Sequence, residues 1–250
     1  MLSQSDNTPR PRFFRVLTLT TVAVLALSGC TPDTPPAPEK PTVVPTAAIT
    51  WQPGHEPTSE LENNPWVKLA RDYAIGNAMA TNMSDFTINQ ITNYVSPGAL
   101  YQAASLHDGL LNQDPMIYPG PAPWQPLRVE KSKSGVIIIA CGTSSPWITT
   151  RDTPGGTVEP DSGRKRSINI SLTTDHTKIA GVSGSSILSE NEGGGPCDSS
   201  TIPIALFTTP PPAPGSEPRP TVRYPLCGTR SECINVDEKD YAVVPVPEKF

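Results

Sequence analysis

The sequence predicts an α+β fold in which a group of helices precedes a largely antiparallel sheet. Apolar residues recur at steps of three and four between Trp66 and Met83, which is the period of an amphipathic helix. From Leu127 onward, short β-prone segments alternate with turn signals rich in Gly, Ser and Asp, as in β-hairpins. Helices grouped before strands indicate that the helices pack on one side of the sheet.

The first helix has a clear predicted start. Asn64 is a suitable N-cap, and Pro65 is suited to the first helical position. Gly76 lies in the middle and costs about 1 kcal/mol of helix propensity relative to alanine, which is acceptable where another element packs close to the backbone. Two shorter helices are predicted, one at 86–94 and one that begins at Ser96-Pro97.

The strands are predicted as two hairpins. Segments 127–132 and 136–145 are separated by Ser134-Gly135, and segments 167–174 and 178–188 are separated by "DHT". Residues 136–140 are all apolar, which is typical of a central strand covered on both faces. Residues 168–173 alternate between apolar and polar side chains, which indicates a strand with one face in water.

The N-terminus has the layout of an export signal. Three arginines precede an apolar stretch at 16–27, which is shorter than the roughly 20 residues of a membrane span. Prolines soon after this stretch stop any helical extension. We therefore expect residues 1–29 to be a signal peptide and not a membrane helix.

The segment Leu27-Ser28-Gly29-Cys30 resembles the lipobox of bacterial lipoproteins. The resemblance implies diacylglycerol on the Cys30 sulfur, cleavage before Cys30 and acylation of the new amine. An ordinary cleavage site would need no cysteine, and it would leave a lone thiol at the mature N-terminus. Because two or more acyl chains hold a protein durably on a bilayer, we expect anchoring to the extracytoplasmic face of the cell membrane through Cys30.

The charge of the mature chain argues against a nucleic-acid partner. Removal of residues 1–29 takes away three arginines and one aspartate, so the net charge moves from −5 to −7. Nucleic-acid binding requires basic stripes that neutralise phosphates. The one basic cluster, "GRKRS" at 163–167, is better explained as a solvated loop or strand start.

Proline-rich segments divide the mature chain. Residues 30–62 are rich in Pro and Thr with almost no apolar periodicity, which predicts a disordered tether. The alternative is a short docking element at Trp51 and Val43-Val44. The α+β domain is then expected at 63–208.

A second proline-rich connector is predicted at 209–225, followed by a tail at 226–250. The tail is too short to fold alone, so it either returns to the domain as an edge strand at "YAVV" or extends as a ligand for another protein. Pro245 and Pro247 suit an edge strand and exclude a central one, and we favour the edge.

Four cysteines remain beyond the anchor, an even number that predicts disulfides in an exported chain. A zinc site would require paired C-x-x-C spacing, which the sequence lacks. Three pairings are possible. We favour Cys141 with Cys197, which would join the central strand to the loop after the last hairpin, and Cys227 with Cys233, which would close the small loop "CGTRSEC". The alternative for the second pair is a redox role, which we consider less suitable.

This layout resembles the nuclear transport factor 2-like or SnoaL-like fold, as found in tethered actinobacterial lipoproteins. The resemblance covers residues 63–207, with "PWVKLARDYAIGNAM" as the long helix and "VIIIACGTSS" as the central strand. It implies a curved, cone-like sheet that encloses a pocket beneath the helices. The residues expected to line that pocket are Trp66, Tyr73, Tyr101 and His107.

Catalytic and cofactor motifs are missing from the sequence. It contains no G-x-S-x-G, H-E-x-x-H, G-x-x-x-x-G-K-[ST] or G-x-G-x-x-G, so we expect no cofactor or metal. The histidines are His55 in the predicted tether, His107 near a helix end and His176 in a predicted turn. Structural roles explain the last two, because a helix C-terminus favours a histidinium and Asp175 promotes a turn.

Two functional classes remain open, because members of such a fold include enzymes and binding domains. The preferred class is a non-enzymatic lipoprotein whose domain binds an envelope protein, a cell-wall component or a small ligand. The alternative is a small SnoaL-like enzyme, an isomerase or cyclase with a pocket acid or base. His107 or Asp72 pointing into the pocket would favour the enzyme.

Overall fold

The computed structural model describes residues 43–111, 117–143, 163–184, 186–211, 221–225, 227 and 229–248. The predicted signal peptide, the lipidation site Cys30, the first part of the tether and most of the second connector lie outside these residues. Within the described ranges, no helix is both long enough and apolar enough to cross a membrane.

The described elements follow the predicted order of helices and then strands, with further helices near the C-terminus. The helices are α1 (Pro65–Met83), α2 (Asn89–Thr92), α3 (Pro97–Leu111), α4 (Arg230–Ile234) and α5 (Glu238–Tyr241). The strands are β1 (Ile49–Trp51), β2 (Trp124–Ser132), β3 (Gly135–Thr143), β4 (Gly163–Leu172), β5 (Ile179–Val182), β6 (Ser186–Ile187), β7 (Pro196–Cys197) and β8 (Ala205–Phe207).

Helix α1 begins where the sequence predicts. The Asn64 side chain accepts a hydrogen bond from the Trp66 amide at 2.9 Å, and Pro65 occupies the first turn. The helix ends at Ser84, whose left-handed backbone has a φ of 51°. Met83 was expected on the apolar stripe of α1, but it is 46% exposed, although Ala80 and Ser84 beside it are buried.

The sheet confirms the α+β class and both predicted hairpins. Strands β2, β3 and β4 pair antiparallel in sequence order, and β5, β6 and β7 all pair antiparallel with β4. Strand β3 is the central strand and is buried at nearly every position. The turn between β4 and β5 contains His176 with a φ of 60°. In the described residues the sheet is not closed into a barrel.

Two apolar clusters form the core, and α1 contributes to both. The first lies between α1 and the sheet, and the second lies between the C-terminal half of α1 and the segments around α2 and α3. The first includes Trp66, Val67, Leu69, Ala70, Trp124, Val136, Ile138, Ala140, Ile168, Ile170, Ile179 and Val182. The second includes Ile75, Ala78, Met79, Ala80, Phe86, Ile88, Ile91, Leu100, Ala104, Leu111, Phe207 and Val222.

Part of residues 43–62 packs on the domain, so the predicted tether is too long. The docking alternative holds for Val44 and Trp51, whereas Val43 is 83% exposed. Strand β1 pairs antiparallel with β8. The Gln90 side chain donates to the Val44 carbonyl, and the Val44 amide donates to Asn89. Ile49 contributes apolar surface to the second cluster. This burial explains why a segment without periodicity is folded, because its partners are far away in the sequence.

The C-terminal tail returns to the sheet edge, as favoured, through the last residue of "YAVV" and the residues that follow it. Before this contact the tail forms two short helices, α4 and α5, the second of which ends at Tyr241. The sequence analysis missed both helices. The edge contact lies just beyond them: the Ile179 amide donates to the Val244 carbonyl at 2.8 Å, and the Val246 amide donates to the Thr177 carbonyl at 3.1 Å. Residues 221–225, assigned to the connector, also pack, since Arg223 pairs with Asp85 at 2.8 Å.

Candidate ligand-binding cavity

A cavity of about 180 Å³ lies between α1 and the sheet. Ala70, Ala74 and Ala78 follow one another at four-residue steps, so their small side chains share one face of α1 and leave space opposite the sheet. Three exposed residues, Ala122, Ser183 and Gly184, lie at its rim. The other described lining residues are Tyr73, Asn77, Tyr118, Trp124 and Ile168.

Trp124 is held in the cavity wall by Arg71. The guanidinium carbon lies 3.7 Å from the centroid of the Trp124 ring, a cation–π distance. Arg71 Nη2 donates to the Trp124 carbonyl at 2.8 Å and to Glu62 Oε1 at 2.7 Å. Burial lowers the pKa of Arg71, and the Glu62 carboxylate opposes this change. The indole is therefore fixed by an ion pair behind it.

Tyr118 is held by Asn82 near the end of α1. The Asn82 side-chain amide donates to the Tyr118 carbonyl at 2.8 Å, and the Tyr118 amide donates to Asn82 Oδ1 at 2.8 Å. In these two reciprocal hydrogen bonds, the Asn82 side chain takes the place of a neighbouring strand's backbone, and together they hold the Tyr118 backbone against α1. The position of the Tyr118 ring therefore depends on the same helix that carries Tyr73.

The two tyrosines supply neutral hydroxyl groups to the cavity. Burial raises the pKa of both phenols, and the nearby Tyr118 raises that of Tyr73 further. Both therefore stay protonated near neutral pH. Across the described residues, neither phenol oxygen makes a hydrogen bond, and neither does the Asn77 carboxamide. Three polar groups at the cavity thus have unused hydrogen-bonding capacity.

The described lining carries no acidic, basic or histidine side chain. A metal site is not evident either, since no group of three or more His, Cys, Asp or Glu side chains converges in the described part of the chain. Aromatic walls with a few convergent polar groups are typical of small-molecule sites. The arrangement can therefore hold an uncharged ligand, whereas proton transfer near pH 7 has no evident donor or base.

Of the four residues expected to line a pocket, Tyr73 lines the described α1–sheet cavity, and the other three do not. Trp66 is 2% exposed and belongs to the first core cluster. Tyr101 and His107 lie on α3, away from this cavity. The Tyr101 ring packs 5.2 Å from that of Tyr224, and His107 Nε2 is hydrogen-bonded to Ser84 Oγ at 2.9 Å. Tyr101 and His107 are separated from the cavity because, in the described residues, α3 packs on α4 and in the second core cluster.

The other candidate acid–base residues also lie outside the cavity. Asp72 is exposed on α1, and His176 is exposed in the turn after β4. His55 Nδ1 is hydrogen-bonded to the Ile202 carbonyl at 3.1 Å. None of them contributes to a catalytic arrangement with a neighbouring nucleophile in the described structure.

Both favoured disulfides are present. Cys141 pairs with Cys197, with a Cα–Cα distance of 5.9 Å, and Cys227 pairs with Cys233. The first lies against Gly163, where a Cβ would come within 2.8 Å of the Cys141 sulfur and 3.0 Å of the Cys197 sulfur. Glycine is therefore required at the start of β4.

Sequence reasoning missed the residues that shape the cavity. Tyr118 and Trp124 lie in a proline-rich stretch for which the sequence analysis predicts neither a helix nor a strand, and Asn77 lies beside the expected apolar stripe. The alanines at four-residue steps were the available signal. A row of small residues on a helix face predicts a cavity only when large side chains of another element lie across from it. The sequence does not show which side chains lie there.

A second cavity, of about 260 Å³, lies between the start of α3 and the C-terminal segment. Leu100, Tyr241 and Val243 contribute to its walls, and Asp240 adds a charge. We take the α1–sheet cavity as the candidate site, because its aromatic walls are held by the bonds described above.

Compared with protein-family models, curated proteins and solved structures, the chain has no match. The nuclear transport factor 2-like resemblance therefore stays a prediction. The chemistry of the cavity carries the functional argument.

Proposed function

We propose that this protein is a lipid-anchored envelope protein whose α+β domain binds a ligand in the α1–sheet cavity without catalysis. One observation carries the proposal. The described cavity lining is uncharged, and it joins aromatic surface to three polar groups that have no hydrogen-bond partner among the residues that the structure describes. Tyr73, Asn77 and Tyr118 are half-buried, so these groups are open to water, which a ligand can replace as their hydrogen-bond partner.

A nuclear transport factor 2-like arrangement, with a pocket between helices and sheet, is part of this proposal. The alternative, a SnoaL-like enzyme, requires an acid or base in the pocket. General acid–base catalysis is most efficient when the pKa lies near the working pH, whereas burial raises the pKa values of Tyr73 and Tyr118. The described cavity therefore favours binding over chemistry.

The anchor part of the proposal is tested on Cys30. Full-length wild type and Cys30→Ala are expressed in a bacterial host with a lipoprotein pathway, and Thr31→Ala is the matched control. We expect membrane-bound, acylated protein for the wild type and Thr31→Ala, and unacylated protein for Cys30→Ala. An acylated mass for Cys30→Ala, measured by mass spectrometry, would refute the lipobox interpretation.

The binding part is tested by filling the cavity. Ala74 lines the cavity, whereas Ala99 is exposed on α3, so Ala99→Leu is a matched control for Ala74→Leu. The detergent-solubilised lipoprotein is incubated with envelope extract and examined by native mass spectrometry. We expect an added mass on wild type and Ala99→Leu that Ala74→Leu loses, with thermal melting showing that all three are folded.

Two results would overturn the binding proposal. An unliganded wild type after incubation would favour contacts made on the outer surface. Turnover of the bound molecule into a product, followed by mass spectrometry of the released ligand, would favour the enzyme.

A further inference from the structure

We propose that the cavity receives a neutral, ring-shaped group that carries one or two carbonyl or hydroxyl oxygens, read by Tyr73, Tyr118 and Asn77. This inference rests on the proposed binding function and names the class of ligand. Three independent properties of the cavity support it: its size, its lack of charge and its small set of polar groups.

The size of the cavity favours a single ring. Its volume is about 180 Å³, and an apolar protein cavity of about 150 Å³ is large enough to bind benzene. A six-membered ring with one small substituent therefore fits. A longer molecule fits only if the rest of it leaves through the rim at Ala122 and Ser183.

The electrostatics disfavour an anion. Transfer of a carboxylate from water into an uncharged cavity is unfavourable unless a counter-charge compensates it. The guanidinium of Arg71, which lies against the Trp124 ring, is directed to Glu62 and the Trp124 carbonyl. An anionic ligand would therefore lose its hydration without gaining an ion pair.

A cation is disfavoured for a different reason. The Trp124 ring already engages Arg71, whose guanidinium carbon lies 3.7 Å from the ring centroid. A second cation on this indole would be repelled by the first. The aromatic walls are therefore available for apolar contact more than for a second cation–π interaction.

The polar groups set the number of oxygens that the ligand presents. A phenol hydroxyl donates one hydrogen bond and accepts others, and a carboxamide both donates and accepts. Tyr73, Tyr118 and Asn77 can thus satisfy one or two ligand oxygens. A sugar ring, with hydroxyls on all sides, would leave several of them against Ala70, Ala78 and the indole, which is costly.

The test uses four compounds of similar size: acetophenone, ethylbenzene, benzoate and benzylammonium. Binding to the mature lipoprotein is measured by equilibrium dialysis, with detergent at equal concentration on both sides so that partition into micelles cancels. We expect acetophenone to bind about three- to tenfold more tightly than ethylbenzene, as one or two net hydrogen bonds allow. Benzoate and benzylammonium should bind at least about tenfold more weakly than acetophenone.

Variants assign the discrimination to the hydroxyl groups. In the double variant Tyr73→Phe with Tyr118→Phe, acetophenone affinity should fall to that of ethylbenzene, while ethylbenzene affinity stays unchanged. Tyr101→Phe is the matched control, because Tyr101 packs on Tyr224 away from the cavity. Loss of only a hydroxyl keeps each ring in place, and thermal melting shows whether each variant is folded.

The outcomes separate this inference from the proposed function. If Ala74→Leu abolishes binding but charged compounds bind as well as acetophenone, or the tyrosine variants change nothing, the ligand class is wrong and the cavity proposal stands. If no test compound binds while native mass spectrometry still shows an envelope ligand, the class is again wrong. If Ala74→Leu leaves acetophenone binding intact, the compound binds elsewhere and the ligand class is wrong. The cavity proposal fails as well only if Ala74→Leu also keeps the envelope ligand in native mass spectrometry.

Discussion

Single residues outside the cavity determine the geometry inside it. Arg71 and Glu62 lie behind the indole of Trp124, and Asn82 holds the backbone of Tyr118. The aromatic walls are therefore preorganised, because their partners are satisfied before any ligand arrives. Preorganisation of this kind reduces the ordering cost of binding.

His107 is expected to make stability depend on pH. Burial lowers its pKa below the ordinary 6.5, and Asp108 opposes this shift. The neutral ring is hydrogen-bonded to Ser84 and lies 5.7 Å from the Phe86 ring. Below about pH 6.5 the unfolded chain binds a proton that the folded chain does not, so stability falls as pH is lowered through this window.

The measurement is the free energy of unfolding in urea at pH 7.5 and pH 5.5. His107→Gln should lose less stability between these pH values than the wild type. His176→Asn, at an exposed histidine whose left-handed backbone asparagine tolerates, should behave like the wild type. Equal pH dependence in the wild type and His107→Gln would show that His107 does not contribute.

At the scale of elements, α1 depends on a close approach to the segment that carries α2. A Cβ at Gly76 would lie 2.0 Å from the Gln90 carbonyl oxygen, whereas a Cβ at Gly109 in α3 would meet nothing within 4 Å. Gly76 is thus packed against another backbone, whereas Gly109 has open space beside it. Substitution of each by alanine separates packing from helix propensity.

Gly109→Ala is expected to stabilise the protein by about 0.5–1 kcal/mol, which is the gain in helix propensity. Gly76→Ala should destabilise it by about 1–3 kcal/mol, because overpacking exceeds that gain. Denaturant unfolding of both variants checks this. A stabilised Gly76→Ala would mean that α1 and the Gln90 segment are not in contact.

Elements whose signals are local were predicted well from the sequence. The start of α1 follows from Asn64 and Pro65, and both hairpins follow from periodicity and turn residues. Helices α4 and α5 were missed because each has only four or five residues. Their caps, Thr229 and Asp237, were the available signals, but such short helices depend on tertiary contacts.

For the whole molecule, the two disulfides should contribute unequally. The Cys141–Cys197 bond closes a sequence separation of 56 residues, whereas Cys227–Cys233 closes one of 6. In the loop-entropy model, these correspond to about 4 and about 2 kcal/mol. The longer bridge also ties β3 to β7, so its loss should affect the sheet as a whole.

Urea unfolding of two double variants measures this difference. Cys141→Ala with Cys197→Ala should be less stable than Cys227→Ala with Cys233→Ala, by about 2 kcal/mol. The second pair of changes should leave acetophenone binding unchanged, since that bridge lies away from the α1–sheet cavity. The reverse order of stabilities would show that local packing, not loop closure, governs the effect.

The sequence by itself determined the helix start, the hairpins and the antiparallel α+β class, since capping, periodicity and turn chemistry act over a few residues. It left three cysteine pairings open, and the structure selected the favoured one. Only the tertiary structure decided that residues 43–62 belong to the domain, because β1 pairs with β8, which is about 150 residues away. It also decided the cavity. Ala70, Ala74 and Ala78 are ordinary helical residues until Trp124 and Tyr118 are placed opposite them, and that placement depends on long-range packing.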